Sequence, residues 1–150
     1  SRAVSVMLIG EYRHTIDDKK RISLPAKFRK EVGKSVVITK GLDGCLYLYP
    51  KKGWQEMIVE IEERGVGLSD KRKISRHFLG SAQELSVDSL GRILIPEHLK
   101  AFADLDTTVV FAGLSNRIEV WNQKRWEHYT KKVEADADTV ADSLHSARAL

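Results

Sequence analysis

The chain has 150 residues, of which 42% are hydrophobic and 31% are charged, and its formal net charge is +4. This balance is typical of a globular protein and argues against a disordered chain. No apolar run reaches the roughly 20 residues of a membrane-spanning helix, and the lone cysteine, Cys45, provides neither an internal disulfide nor a cysteine-based zinc site. We therefore expect a cytoplasmic protein with no membrane partner, no bound metal and no cofactor.

The first half of the chain has the pattern of short strands and helices separated by turn residues. Hydrophobic alternation indicates the strands, Gly and Asp mark the turns, and Pro suits the first turn of a helix. The predicted elements are, in order, strands over Glu11–Ile16 and Arg21–Leu24, a helix over Pro25–Val32, strands over Val36–Thr39 and Leu46–Tyr49, and a helix from Pro50.

The second half repeats this order after a helical connector. Ser69 is a favourable N-cap for a helix over Asp70–Leu79. Beyond Tyr129 the apolar positions are sparse and acidic residues are frequent, so we expect a helical tail that is mobile or depends on a partner. The remaining predicted elements are a strand over Arg92–Ile95, a helix over Pro96–Ala103, strands over Thr108–Phe111 and Arg117–Trp121, and a helix from Asn122.

A duplicated motif explains the repetition. Four residues of the first copy recur 71 positions later in the second copy, namely Asp17, Arg21, Ile22 and Pro25 as Asp88, Arg92, Ile93 and Pro96. Self-similarity at a fixed spacing indicates one supersecondary unit that is used twice. The strands of one copy are too short to bury both of their faces within that copy.

The duplication predicts a mixed β/α fold that is mainly β. Two tandem units, 11–53 and 82–125, would interleave into a pseudo-two-fold swapped-hairpin β-barrel of the double-psi type. A helical connector (54–81) and a C-terminal helix or tail (126–150) would flank this barrel.

The two copies differ in charge. From Glu11 to Lys40 nine Lys or Arg residues face four acidic residues, which gives a net charge of +5. The corresponding segment Ala82–Gly113 has a net charge of −3. If the protein binds a polyanion, we expect the first copy to make most of the contacts.

The spacing of Asp and Arg in the motif has a chemical reason. An Asp carboxylate in a tight turn can accept backbone N–H bonds, which rigidifies the loop and lets the Arg project. The guanidinium fork matches a phosphate or the O6/N7 edge of guanine. The alternative is a surface ion pair that only holds the turn and contributes well under about 1 kcal/mol. We assign the turn-organising role to Asp17 and Asp88 and DNA contact to Arg21, and we leave Arg92 open because its sequence neighbours are acidic.

These residues resemble a known family. Gly10-Glu11-Tyr12 followed by the Asp17–Arg29 segment, and Phe78-x-Gly80 followed by the Asp88–Pro96 segment, resemble the MraZ family of bacterial transcriptional regulators. That family carries two tandem swapped-hairpin units of the AbrB/SpoVT/MazE type. The resemblance covers the chain from Met7 to about Lys132.

The resemblance implies a function as well as a fold. It implies ring-like homo-oligomers that bind short G-rich direct repeats in double-stranded DNA, upstream of a division and cell-wall gene cluster that includes the regulator's own gene. It also implies a protein associated with the nucleoid. The function that we expect is therefore transcription regulation by sequence-specific DNA binding, not catalysis.

The candidate DNA-binding residues are the basic side chains in and around the two motifs. They are Arg13, His14, Lys19, Lys20, Arg21, Lys27, Arg29 and Arg92. One position departs from the family pattern, because Lys20 precedes the first motif Arg whereas Gly91 precedes the second. If this position needs a positive φ, Lys costs about 1 kcal/mol relative to Gly.

Three other interpretations stay open. An antitoxin-like regulator would bind a toxin through the tail beyond Val133. The DNA surface would alternatively be the basic segment Lys71–His77, although such charge runs are usually solvated helix faces. An enzyme is disfavoured because the five His residues are scattered without metal-ligand spacing and no Gly-rich phosphate loop follows a strand.

Overall fold

The computed structural model describes the backbone of residues 7–149 and the side chains of residues 7–146. Within that range the chain forms eight strands and five helices, so the predicted mixed fold class is confirmed. In chain order they are β1 (Leu8–Thr15), β2 (Arg21–Ser23), α1 (Ala26–Val32), β3 (Ser35–Lys40), β4 (Leu46–Pro50), α2 (Lys51–Glu63), α3 (Leu68–Phe78), β5 (Gln83–Ser86), β6 (Arg92–Leu94), α4 (Glu97–Ala103), β7 (Thr108–Ser115), β8 (Ile118–Asn122) and α5 (Gln123–Ala149).

Local chemistry explains most of these boundaries. Pro25, Pro50 and Pro96 stand directly before helices, with φ between −59° and −54°, the range to which the proline ring restricts the backbone. The predicted N-cap at Ser69 is wrong: α3 begins one residue earlier, at Leu68, and no side chain caps it. Gly67 in extended conformation precedes the helix there.

The strands pair across the two copies. The larger sheet has the order β1-β7-β8-β4-β3-β5, and β2 pairs with β6 in a separate two-stranded ribbon. The first strand of each copy pairs with the third strand of the other copy, β1 with β7 and β5 with β3. This exchange is the predicted interleaving. The pairing of the described strands gives two sheets and does not close into one hydrogen-bonded ring.

The pseudo-two-fold relation appears in the strand register. Ile22 lies opposite its own repeat counterpart Ile93 in the ribbon. Both isoleucines are buried in the main core together with Phe28, Leu99 and Phe111. Burying each such side chain contributes about 1.5–3 kcal/mol, so this core holds the ribbon firmly against the rest of the fold.

A second, smaller core contains Cys45, Tyr47, Tyr49, Val110 and Trp121. The helices α2, α3 and α5 contribute partly buried aromatic side chains to it. Burial raises the pKa of Tyr49 to about 12 and also raises that of the Cys45 thiol. The thiol is therefore protonated and unreactive at neutral pH.

The C-terminal helix α5 has two unlike halves. Near its start Trp126 packs against Trp121, with ring centroids 5.4 Å apart. Every residue from 131 to 146 is exposed, although the helix continues without interruption to Ala149. In the part of the chain that the structure describes, none of the helices is both long enough and apolar enough to span a bilayer.

Candidate nucleic-acid interface

The first Asp-x-x-x-Arg motif folds into a tight turn between β1 and β2. Asp17 Oδ1 accepts hydrogen bonds from the backbone N–H groups of Lys19 (2.9 Å) and Arg21 (2.8 Å). The backbone closes the same turn, because the N–H of Asp17 donates to the carbonyl of Arg21 at 2.8 Å. The carboxylate therefore holds the loop in the manner of an Asx-turn.

The second motif forms the same turn between β5 and β6. Asp88 Oδ1 accepts from the backbone N–H groups of Leu90 and Arg92, both at 2.9 Å. The N–H of Asp88 donates to the carbonyl of Arg92 at 3.0 Å. This repeated geometry is what a turn-organising role of the two aspartates requires.

The second carboxylate oxygen of each Asp orients the motif arginine. Asp17 Oδ2 accepts from Arg21 Nε at 3.2 Å, and Asp88 Oδ2 accepts from Arg92 Nε at 2.8 Å. Among the described residues the terminal Nη groups of both arginines have no hydrogen-bond partner. The side chains of Arg21 and Arg92 are 31% and 25% exposed. The ion pair thus holds the guanidinium by one edge and leaves the other edge open to a ligand.

Both aspartates stay ionised at neutral pH. The backbone N–H of Arg21 holds the pKa of Asp17 below its ordinary value, and the Arg21 side chain lowers it further. Arg92 lowers the pKa of Asp88 in the same way. The negative charge that orients each arginine is therefore present at neutral pH.

The ribbon brings the two motif arginines onto one surface. Arg21 lies opposite Leu94, and Ser23 lies opposite Arg92. Because side chains alternate along a strand and the central isoleucine pair points into the core, these four residues share the outer face. Arg21 and Arg92 are then diagonal neighbours at about 7–8 Å.

The residue before each motif arginine adopts a left-handed backbone. Lys20 has φ of 68° and Gly91 has φ of 79°. The departure of the first copy from the glycine pattern therefore leaves the turn unchanged. Lys20 carries the strain of a non-glycine residue in this region and places an exposed cation beside Arg21.

Two first-copy residues adjoin the second turn, although the sequence neighbours of Arg92 are acidic. The side chain of Arg29, on α1, packs directly over Gly91 and donates from Nε to the carbonyl of Leu24 at 2.9 Å. The Lys34 carbonyl accepts from the N–H of Val87 at 2.9 Å. Strand exchange thus moves cationic segments of the first copy next to the second motif.

At the first turn, conversely, a residue of the second copy contacts the first copy. The N–H of Ile16 donates to the carbonyl of Thr107 at 2.9 Å. Thr107 follows Asp106, so an acidic loop of the second copy adjoins the cationic first turn. An acidic segment of one copy and a basic segment of the other are therefore neighbours here.

The other candidate residues are not all gathered at the ribbon. Lys19 is exposed in the first turn. Arg13 pairs with Glu11 at 2.6 Å and with Glu127 of α5 at 3.8 Å. In the pairing of β1 with β7, Arg13 lies directly opposite Val110, which belongs to the smaller core. Because directly opposite residues share one face of a sheet, Arg13 lies on the face of the larger sheet that the helices cover.

His14 and Lys27 also occupy separate positions. The His14 ring contacts the Phe111 ring edge-on at a centroid distance of 5.8 Å. Lys27 is exposed and lines a groove with Met7 and Ile9. Ile9 is near the start of β1, about 20 Å along the strand from the turn that follows its end.

Two positions of the ribbon were not predicted from the sequence. Ser23, which is half-buried, and Leu94, which is exposed, share the outer face with the motif arginines. The signal that would have found them is the alternation around Ile22 and Ile93. Within residues 7–149 no three or more His, Cys, Asp or Glu residues form a group that could hold a metal ion.

Comparison with known proteins identifies the family of the chain. A family model described as "MraZ protein, putative antitoxin-like" matches residues 7–77 and again residues 78–146. The transcriptional regulator MraZ of Moorella thermoacetica is 44% identical over 138 residues, which cover 92% of this chain and 96% of the relative.

Other relatives show similar coverage. The transcriptional regulator MraZ of Caldanaerobacter subterraneus subsp. tengcongensis is 42% identical over 138 residues, which cover 92% of this chain and 96% of the relative. The protein of the same name from Roseiflexus castenholzii is 39% identical over 142 residues, which cover 95% of this chain and 99% of the relative. With two tandem matches that together cover nearly the whole sequence, the chain belongs to the MraZ family.

Proposed function

We propose that this protein is a DNA-binding transcriptional regulator that presents the outer face of the β2–β6 ribbon to the duplex. The observation that carries this proposal is the pair of arginines, Arg21 and Arg92, held by their Nε atoms on one exposed surface. A two-stranded ribbon fits the major groove of B-DNA. The matched relatives are named as transcriptional regulators, which is not an enzyme class.

The geometry gives each group a distinct role in this proposal. The ionised Asp17 and Asp88 fix their arginines so that the Nη groups meet the O6/N7 edge of guanine, and each such contact contributes about 1–3 kcal/mol of discrimination. Lys19 and Lys20 lie beside the first turn and would bind phosphates. The phosphate contacts make the affinity fall steeply with salt.

The target and assembly in this proposal follow from the family resemblance. Each protomer reads one short G-rich direct repeat, and a homo-oligomer reads several repeats at once in a promoter of the division and cell-wall cluster that includes its own gene. The protein acts in the cytoplasm at the nucleoid. Few contacts per protomer give weak binding, which a ring converts into avid binding through effective concentration.

Arg21→Ala tests the proposed readout. Binding is measured by titration with a G-rich direct-repeat duplex and with a scrambled duplex of equal length. We expect the preference for the repeat to fall by about tenfold to a hundredfold, since one guanine contact is lost. Circular dichroism and molar mass should be unchanged, because the Arg21 side chain is partly exposed and its loss leaves the backbone bonds of the turn.

Arg64→Ala is the matched control. Arg64 follows α2 and pairs with Glu60 at 3.0 Å on the surface, so the same charge is removed away from the ribbon. Its preference for the repeat should equal that of the unaltered protein. If Arg21→Ala also keeps the full preference, the ribbon is not the reading surface.

A second candidate function is an antitoxin-like regulator whose tail binds a toxin. The matching family model carries that description, and the exposed half of α5 has room for a partner. Co-expression with the neighbouring genes and purification of the full chain would test it. A small protein that stays bound at high salt and is released when residues of the exposed half are altered would favour this function.

A further inference from the structure

The exposed half of α5 has an unbalanced charge and an unpartnered apolar stripe. Residues 133–146 contain four acidic residues and no Lys or Arg, a net charge of −4. Val133, Val140 and Leu144 in this segment are 45%, 63% and 62% exposed. A helix of this kind needs a partner surface that is both apolar and basic.

The helical geometry places acids along both borders of the stripe. At about 100° per residue, Val133, Val140 and Leu144 fall within about 40° of one another around the axis. Asp136 lies about 60° to one side of the stripe and Glu134 about 100° to the other side. Asp138 and Asp142, at about 140° and 180°, lie farther round on the side of the helix away from the stripe, and this difference in distance from the stripe provides an internal control.

The helix α3 offers the complementary surface. It contains Lys71, Arg72, Lys73 and Arg76 against a single acid, Asp70, a net charge of +3. A groove of about 350 Å³ along one of its faces is lined by Leu68, Lys71, Arg72, Ser75 and Arg76. Leu68, the apolar residue that lines this shallow groove, is 77% exposed and is therefore uncovered in the protomer.

The α5 helix of the same protomer does not fill this groove. Within one protomer all residues from 131 to 146 are exposed, so α5 does not cover α3 of its own chain. Pairing of two α5 helices would set acids against acids along both borders, which is unfavourable. A second groove, beside Met7 and Ile9, is also apolar but has two basic side chains, Lys27 and Lys30, whereas the α3 groove has three.

We propose that the exposed half of α5 docks into the α3 groove of a second copy of this chain. Val133, Val140 and Leu144 would cover Leu68 and the aliphatic stems of the basic side chains. Glu134 and Asp136 would pair with Arg72 and Arg76. This contact specifies the surfaces of the homo-oligomer proposed above and therefore rests on that self-association.

Charge reversal in the full-length chain tests this contact. The two reversed variants are Arg72→Glu with Arg76→Glu, and Glu134→Lys with Asp136→Lys. Each should raise the dissociation constant of self-association by at least about tenfold, because like charges then meet across the contact. Molar mass by light scattering over a range of protein concentrations at moderate salt is the measurement.

Matched controls separate the effect of losing the contact from the effect of changing the net charge. Lys52→Glu with Lys73→Glu makes the same change in net charge as the α3 reversal, outside the groove. Asp138→Lys with Asp142→Lys makes the same change as the α5 reversal, on the opposite face of that helix. Both control variants should assemble within about threefold of the unaltered protein.

Combining the two reversals in one chain gives the decisive result. The quadruple variant restores opposite charges across the contact and should recover assembly to within about threefold of the unaltered protein. Failure of this recovery overturns the inference, as does an unaltered protein that stays monomeric at every concentration. An α3 reversal that loses DNA binding without any change in mass also overturns it, because α3 would then face DNA.

Measuring DNA binding of the same variants distinguishes a failure of this inference from a failure of the proposed function. Recovery of assembly in the quadruple variant supports the contact even if no duplex is bound. Persistent assembly in both reversed variants overturns the contact while leaving ribbon-mediated DNA binding untouched.

Discussion

Among single residues, the one before each motif arginine allows an effect on stability to be distinguished from an effect on ligand binding. Lys20 and Gly91 share a left-handed backbone, but only Lys20 pays the steric cost of a side chain. We expect Lys20→Gly to raise the free energy of unfolding by about 0.5–1 kcal/mol and to weaken DNA binding, since one cation beside Arg21 is lost. Urea unfolding and a DNA titration measure the two effects. Gly91→Ala is the counterpart, expected to lower stability by about 1–2 kcal/mol, because Ala would have to adopt the left-handed φ of 79° and would also displace the end of the Arg29 side chain. Equal stability of Lys20→Gly and the unaltered protein would contradict this account.

The turn aspartates make stability depend on acid pH. Their pKa values in the folded protein lie below the ordinary value of 3.8 because backbone N–H groups donate to them. A depressed pKa contributes stability that is complete above the unfolded value and is lost as pH falls through the folded value. Unfolding midpoints should therefore drop as pH falls below about 4, and the drop should be shallower in Asp17→Asn with Asp88→Asn. Asp18→Asn, in the same loop but outside these hydrogen bonds, is the control, and its pH profile should follow that of the unaltered protein.

At the scale of secondary-structure elements, α1 of the first copy supports the turn of the second. Arg29 packs over Gly91, next to Arg92. In a double-mutant cycle on DNA-binding free energy, Arg29→Ala and Arg92→Ala should couple by at least about 0.5 kcal/mol, whereas Arg29→Ala and Arg21→Ala should add. Titrations of the single and double variants with one repeat duplex provide the four values. If Arg29 couples with Arg21 and not with Arg92, the prediction is wrong, and α1 supports the turn of its own copy when DNA is bound.

In the whole molecule, the exchanged strands place both motif arginines on the single β2–β6 ribbon. If this ribbon reads DNA as proposed, one protomer should occupy one repeat. An oligomer that reads adjacent repeats is sensitive to their rotational phase on the duplex. Shifting the distance between two repeats by half a helical turn should weaken binding sharply, whereas a full turn should restore most of it. Gel-shift titrations with duplexes of graded spacing measure this dependence, and equal affinity at all spacings would contradict avid binding by a ring.

The order of the elements and the two motif turns could be predicted from the sequence. Alternation around Ile22 and Ile93, proline before three helices, and an Asp four residues before each Arg act over a few residues, so their signals are local. The family match shows that the resemblance seen in these motifs was correct. The start of α3 was less predictable. Ser69 has the side-chain chemistry of an N-cap, but the helix begins at Leu68.

The duplication, the turn chemistry and the excess of positive charge in the first copy can all be read from the residues in chain order. Which groups meet depends on how the chain folds. Arg29 and Lys34 belong to the first copy by sequence but adjoin the second turn in space, and Arg21 and Arg92 come together although they are 71 positions apart. The physical reason is that pairing of β1 with β7 and of β3 with β5 joins distant segments to bury a common core. The duplication predicted that the copies interleave, but no pattern within either copy specifies which strands pair.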